Sequence, residues 1–366
     1  MQVRRDADAT VVGCMGLESL TVTGLRCLKE AALAPAPGIN LITGRNASGK
    51  TSLLEAIFLL GRGRSFRTAR REAMIREGAD SLRSVGRLSD GRVLGVEVTR
   101  SGWSARSGGE PVGQLALLAE ILPVQLLDPD VHRLVQDGPG ERRRYLDWAT
   151  FHVKPGFLEA WRSYQRALRQ RNAALKARQG RASLEIWERA LADSGRVLDS
   201  LREATIEMLA EPVDEAACRL LGTHLRLVYR PGQGAGQDLA EALALHRDRD
   251  LRAGMTQVGP HRADVSLLLD DHRARGWVSR GQQKLVAAAL ILGQARLLGP
   301  MWRNRGILLV DDPAAELDRE RCEGLLKLIS ELPFQVFLTA LEADGLPGMP
   351  AARRFHVEQG RVVEVV

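Results

Sequence analysis

Long apolar runs are missing from this sequence. None reaches the roughly 20 residues that a bilayer-spanning helix needs, so no membrane partner is expected. Cysteine is scarce, and Cys14, Cys27, Cys218 and Cys322 are scattered without a CxxC or Cys/His spacing. They read as free thiols in a reducing compartment rather than as disulfides or zinc ligands, which points to a cytoplasmic location. Aromatic residues make up only 4%, which disfavours a base-stacking platform of the kind that grips single strands. A strong excess of one charge is also lacking. The 52 Lys and Arg face 45 Asp and Glu, and the net +7 permits a polyanionic partner without demanding one. The first residues hold no basic stretch followed by an apolar core, so they do not read as a secretory signal. Residues 1–16 are polar and unpatterned and read as a disordered or artefactual extension, with Met15 as a candidate natural start.

What is present is an ordinary globular composition, 45% hydrophobic and 27% charged over 366 residues. The chain is organised around Gly44-Arg45-Asn46-Ala47-Ser48-Gly49-Lys50-Thr51-Ser52. A short apolar stretch, Ile39 to Thr43, runs into this loop, and a helical stretch from Ser52 to Leu60 leaves it. That is the strand–GxxxxGK[ST]–helix order of a phosphate-binding loop. Glycines at both ends let the backbone approach an anion closely, and successive N–H groups form a concave nest at a helix N-terminus. Lys50 is then placed to reach the β- and γ-phosphates, and the Thr51 hydroxyl to hold Mg²⁺.

Other stretches fall into place around the loop. Leu17 to Thr23, Ser84 to Leu88, Val93 to Thr99 and Val124 to Leu127 read as strands, with an Asp90-Gly91 hairpin turn among them. Gly61 to Arg71 is a glycine-punctuated basic loop. Its Arg64, Arg67, Arg70 and Arg71 serve either as a solvated surface or as contacts to a nucleic-acid backbone. From Phe157 on, helix formers dominate. Phe157, Trp161, Tyr164, Leu168 and Leu175 keep helical spacing. So do Leu184, Trp187, Leu191, Ser194, Leu198, Leu201, Thr205 and Met208. With Gln179-Gly180 between them, the two runs predict an antiparallel helical hairpin that projects as an arm. Its opposite face carries Arg162, Arg166, Arg169, Arg171, Lys176 and Arg178, again either solvated or a nucleic-acid stripe. Strand character returns at His224 to Tyr229 and Ala263 to Leu269. A helix is expected over Gly281 to Leu298, strands at Ile307 to Val310 and Phe334 to Thr339, and a closing hairpin from Phe355 to Val366.

The strand Ile307 to Val310 delivers Asp311 and Asp312 to its carboxyl end, where ligands sit in open α/β sheets. Asp311 is suited to help hold Mg²⁺ and Asp312 to polarise an attacking water. Upstream, Ser279-Arg280-Gly281-Gln282 opens the Ala/Leu-rich helix, and downstream stands Glu316-Leu317-Asp318. This set resembles an ABC-type ATPase head. Adding Gly61 to Thr68, Pro123 to Gln125, Glu141 to Trp148 and Gly259 to Asp264, the chain from Leu17 to Val366 resembles the RecF family of bacterial DNA-repair ATPases, an SMC-like group.

The resemblance implies an α/β fold, an ABC-type (SMC-like) P-loop ATPase head with an inserted helical-hairpin arm domain. Residues 17–150 would be the first part of the head, 151–222 the arm, and 223–366 the second part of the head. It implies a weak ATPase that dimerises on ATP with Mg²⁺ and binds gapped, single- and double-stranded DNA without sequence preference. It further implies action with RecR and RecO, and indirectly RecA. Gln125 would be the Q-loop residue that serves metal and water. Arg26 would contact the nucleotide, Ser279 to Gln282 would be the signature presented to the opposite subunit, and Asp318 would lie at the dimer interface. Three departures stand out: Leu25-Arg26-Cys27 where Phe-Arg-Asn is usual, Pro313-Ala314-Ala315 after the two acids, which affects the loop towards Asp318, and Thr339 where many ABC ATPases place a histidine. A transporter ATPase subunit is the alternative, and the arm, the basic loop and the closing hairpin argue against it. An SMC-like nuclease head would need a further acidic domain, and a non-catalytic scaffold would not need Lys50, Thr51, Asp311 and Ser279 together.

Overall fold

Alternation of buried and exposed residues builds the first sheet. In the strand Leu17–Leu25, Leu20, Val22 and Leu25 turn inward while Thr21 and Thr23 face out. The structure, a computed structural model, describes residues 16–302, 305–315, 317–342, 346, 348 and 352–365. Of the N-terminal extension expected over residues 1–16, residues 1–15 lie outside these, as do Glu316 and Val366, while Gly16 is described and its carbonyl accepts from Ser89 N at 2.9 Å. The described chain divides into two units. One comprises the residues up to Pro129 and those from Gly299 on; the other runs from Asp130 to Leu298. These divisions fall at different places from 150 and 222, and both of those positions lie inside the second unit.

The first unit holds two six-stranded sheets. One is antiparallel, in the order Leu28–Leu33, Leu17–Leu25, Ser81–Leu88, Val93–Thr99, Trp103–Ser107, Glu110–Pro111. The other runs Arg361–Val365, Arg353–Glu358, Ile39–Thr43, Gln335–Ala340, Ile307–Val310, Val124–Leu127, and all its pairs are parallel except that of the closing hairpin. Its central strands Ile307–Val310 and Gln335–Ala340 are buried along their whole length and mostly apolar, as befits strands covered on both sides. The helix Lys50–Arg62 lies in the shared core of both sheets, with Ser52 to Gly61 all buried. It starts two residues before the expected Ser52.

The second unit contains the expected helical pair, Phe157–Lys176 and Arg181–Leu221, of 20 and 41 residues. A third helix, Leu239–Ala253, packs on the pair and was not expected. Its N-cap Asp238 accepts from Ala240 N and Glu241 N. The unit also holds the helices Arg133–Gln136, Pro139–Val153 and Arg280–Leu298 and a three-stranded antiparallel sheet of Leu225–Arg230, Asp264–Leu269 and His272–Arg273. Among the described residues, no helix is long and apolar enough to cross a membrane.

Candidate nucleotide site

The loop between Thr43 and Lys50 is built for close approach of an anion. Gly44 has φ 149°, and a Cβ there would lie 2.3 Å from Val357 O and 2.8 Å from Ser48 Oγ. Only glycine fits. Ala47 and Gly49 also take positive φ, so the intervening N–H groups curl into one concavity before the helix begins. Lys50 Nζ donates to Gly44 O at 2.6 Å and Arg45 O at 3.1 Å, which holds the ammonium across the mouth of the loop. Burial lowers the Lys50 pKa from its usual value, and the facing carboxylates of Asp312 and Asp311 oppose that shift.

Behind the lysine, the parallel register brings hydroxyls and carboxylates together. Thr51 Oγ1 donates to both oxygens of Asp311, at 3.1 and 3.0 Å. Thr339 Oγ1 donates to Asp311 Oδ1 at 2.6 Å and accepts from Asp312 N at 2.9 Å. Asp312 takes a positive φ of 48°, which turns its side chain away from the path of the strand. Thr51 and Asp311 are the hard oxygen donors that Mg²⁺ prefers, and the glycine cradle with Lys50 suits a polyphosphate. Both groups therefore fit the residues present.

Two expected members stand elsewhere. Gln125 lies inside the strand Val124–Leu127, opposite Leu308 and buried, three positions before the level of Asp311. At about 3.3 Å per residue that is about 10 Å down the strand. The residue at the carboxyl end beside Asp311 is Asp128, because Asp311 N pairs with Leu127 O. Arg26 is likewise committed: its guanidinium is bidentate on Glu55, at 3.0 and 2.9 Å, and also donates to Ala73 O. Glu55, fully buried on the loop's own helix, also accepts from Ser65 Oγ and stands 3.6 Å from the Arg67 guanidinium. One carboxylate thus ties the basic loop to the nucleotide helix. Arg64, Arg67, Arg70 and Arg71 are all exposed, as a phosphate contact requires. Of the loop residues, Arg45, Asn46 and Ala47 are exposed, and Ser48 and Ser52 are buried.

In the second unit, Ser279 and Gln282 form a reciprocal cap. Ser279 N donates to Gln282 Oε1 at 2.9 Å, and Gln282 N donates to Ser279 Oγ at 3.3 Å. Ser279 and Arg280 are exposed and Gly281 is half-buried, so the N-terminus of Arg280–Leu298 faces solvent. Asp318 is exposed and caps Arg319–Ser330 by accepting from Arg321 N. Two of the three arginines of Glu141 to Trp148 are structural, while Arg144 is exposed and pairs with Glu141 one turn earlier. Arg142 is buried and bidentate on Asp264, and Arg143 donates to Ala263 O. On the helical pair Arg171 is also no stripe member: it is fully buried against Asp250, Glu188 and Thr256.

The sequence reading missed Glu55, the bonding of Thr339 to Asp311 and to the Asp312 backbone, and the contact that the expected closing hairpin makes with the loop. That hairpin braces the loop, since Gly360 N donates to Ser48 O at 2.9 Å. A positive-φ turn at Gln359-Gly360 was visible as a motif, but its partner more than 300 positions away was not.

Known proteins match along nearly the whole chain. A family model described as RecF/RecN/SMC N terminal domain matches residues 16–362. The DNA replication and repair protein RecF of Azotobacter vinelandii is 43% identical over 365 residues, covering 96% of this chain and 99% of its own. That of Thioalkalivibrio sulfidiphilus is 40% identical, covering 94% and 98%. A solved structure of the recombination mediator protein RecF with ATP, from the RecFOR pathway, is 26% identical with a TM-score of 0.88, covering 99% and 100%. The Smc head domain of Pyrococcus furiosus, 16% identical with a TM-score of 0.60, shares the fold. The relatives are repair proteins, which disfavours the transporter reading. With its glycine cradle, Lys50 and the Thr51–Asp311–Thr339 cluster, the chain belongs to the RecF family of SMC-like, ABC-type ATPase heads.

Proposed function

We propose that the chain is a slow ATP-driven switch that dimerises on ATP and binds DNA in recombinational repair. The observation that carries the reading is the cluster in which Thr51 and Thr339 converge on Asp311 beside Lys50. ATP with Mg²⁺, when bound, supplies the phosphoanhydride whose cleavage resets the switch. Lys50 and the loop N–H groups bind phosphate oxygens, and Thr51 Oγ1 and Asp311 hold the metal. Asp312 orients the attacking water and takes up its proton; being one methylene shorter than glutamate, it reaches less far, which suits slow turnover. Ser279 and the Arg280–Leu298 N-terminus of a second copy bind the γ-phosphate, so the nucleotide joins two heads. Gln125 stands behind the Asp311 level and reaches the metal and its water only through a shift of its strand or an intervening water. Asp318 faces the partner.

The exposed Arg64, Arg67, Arg70 and Arg71 bind DNA through phosphates, without reading sequence. Glu55 couples that loop to the nucleotide helix. The family and the RecFOR pathway in which the ATP-bound neighbour acts support action with RecO and RecR to help load RecA at gapped DNA. The test is Asp312→Asn, measured by sizing with ATP, ADP and a gapped duplex. The variant should bind ATP, lose turnover and stay dimeric on DNA. Normal hydrolysis would remove Asp312 from its role.

A further inference from the structure

Beyond the nucleotide site, three Lewis bases of different kinds converge at the end of the long helix. Asp214 and Cys218 stand four residues apart on one face of Arg181–Leu221. The helix stops at Gly222, whose φ of 69° reverses the chain and returns His224 to the same face. His224 Nδ1 lies 2.9 Å from Asp214 Oδ2 and 3.4 Å from Cys218 Sγ, and all three donor atoms fall within 4.8 Å of one another. A ring nitrogen offers either one proton or one lone pair, so it can satisfy only one of these neighbours. A cation at the common focus would satisfy all three.

The spacing suits a small tetrahedral ion. Metal–nitrogen and metal–oxygen bonds near 2.1 Å and a metal–sulfur bond near 2.3 Å place ligand atoms about 3.4–3.6 Å apart. The Sγ···Nδ1 distance meets that value, and Nδ1···Oδ2 needs a small opening. Asp214 is already oriented, because its Oδ1 accepts from Leu225 N at 2.8 Å, which leaves Oδ2 for the ion. His224 is 77% exposed on an open groove also lined by Glu211, Asp270 and Asp271, giving a path of entry and a field that favours cations. The sulfur and nitrogen donors select against Mg²⁺ and Ca²⁺.

We propose that Asp214, Cys218 and His224 bind one borderline-soft divalent transition-metal ion of the zinc class, with solvent as the fourth ligand. Binding displaces the thiol proton to solvent and staples the helix end to the strand Leu225–Arg230. The reading from scattered cysteines placed no metal there, because Asp214 is not part of any Cys/His spacing. The experiment titrates the full-length, chelator-treated chain with Co²⁺ and then Zn²⁺, without nucleotide. One Co²⁺ per chain should give tetrahedral ligand-field bands and a thiolate charge-transfer band, both erased by Zn²⁺. Cys218→Ser should abolish the charge-transfer band and weaken binding at least about tenfold, and His224→Ala should weaken it comparably. Absence of the bands, or bands that persist in Cys218→Ser, would overturn the assignment. His224 is exposed and Cys218→Ser nearly isosteric, so circular dichroism of both variants should match the parent.

Discussion

Thr339 stands where a γ-phosphate-sensing histidine is common, and its hydroxyl has a different task. It donates to the Asp311 carboxylate and accepts from the Asp312 backbone N–H, so one buried oxygen orients the first acid and fixes the backbone of the second. Thr339→Val keeps the shape and removes both bonds. ATP turnover should fall roughly ten- to a hundredfold, as for other residues that orient a metal ligand, with ATP binding largely retained. Thr339→Ser should restore it. Equal turnover in the valine variant would mean that Thr51 and the backbone hold the acids without it. His261, in the Gly259–Asp264 motif, shows a second buried arrangement. Its Nδ1 accepts from Tyr164 Oη at 2.7 Å and its Nε2–H donates to Thr256 O at 3.0 Å, which fixes the neutral ring. Burial, aided by nearby arginines, lowers its pKa from 6.5 to about 4. Above pH 6.5 the ring is neutral in both folded and unfolded chains. As pH falls from 6.5 towards 4, the unfolded chain takes up a proton that the folded one refuses, so stability declines across that window. This group alone should remove about 2 kcal/mol between pH 7 and pH 5. Urea unfolding at the two pH values checks it, since His261→Gln should lose that much less over the same interval.

At the scale of elements, the helical pair shows what a sequence pattern conveys and what it conceals. Both helices and their connecting turn were legible, because apolar residues recur at helical spacing and Gly180 lies between them. Leu184, Leu191, Leu198 and Thr205 are buried as expected. Yet Trp187, Ser194, Leu201 and Met208 are only half-buried, with Trp187 and Leu201 packed against the edge of the core. The buried positions are Glu188, Gly195, Arg202 and Leu209, one residue later. Two of these carry charge and one has no side chain, so a hydrophobicity pattern passes over them. Arg171 and Arg247 hold Glu188, and Asp147 holds Arg202 in a bidentate pair. A Cβ on Gly195 would lie 2.4 Å from Leu239, on the helix that the reading also overlooked. The strands of the nucleotide site were read almost to the residue, because the apolar runs of a buried parallel sheet need no knowledge of their partners. Charged core positions do need it. Glu188→Ala should therefore destabilise the second unit by about 3–5 kcal/mol, since it leaves Arg171 buried with Asp250 as its one remaining carboxylate. Trp187→Ala should cost less. Chemical denaturation followed by circular dichroism decides, and a reversed order would mean that the seam runs where the periodicity placed it.

Across the whole molecule, the phosphate loop depends on the far end of the chain. The strand Arg353–Glu358 pairs in parallel with Ile39–Thr43, and the turn that follows it closes over the loop. Val357 O sits where a side chain on residue 44 would be, and Gly360 N holds Ser48 O. Gly360 itself has φ 77°, and a Cβ there would meet Cys27 O at 2.5 Å. Three segments drawn from positions near 27, 48 and 360 thus lock one another, and the nest of N–H groups is as rigid as this contact. Gly360→Ala must either strain its own backbone or push Cys27 away, and both loosen Ser48. ATP affinity should fall about tenfold, equivalent to ~1.4 kcal/mol. The effect should arise with no residue of the phosphate loop altered. Equilibrium binding of a fluorescent ATP analogue measures it, with Gly91→Ala as the control, because that glycine sits in a hairpin turn where a Cβ meets nothing within 4 Å. If Gly360→Ala binds as tightly as the parent, the closing hairpin merely covers the sheet edge and the loop holds its shape unaided.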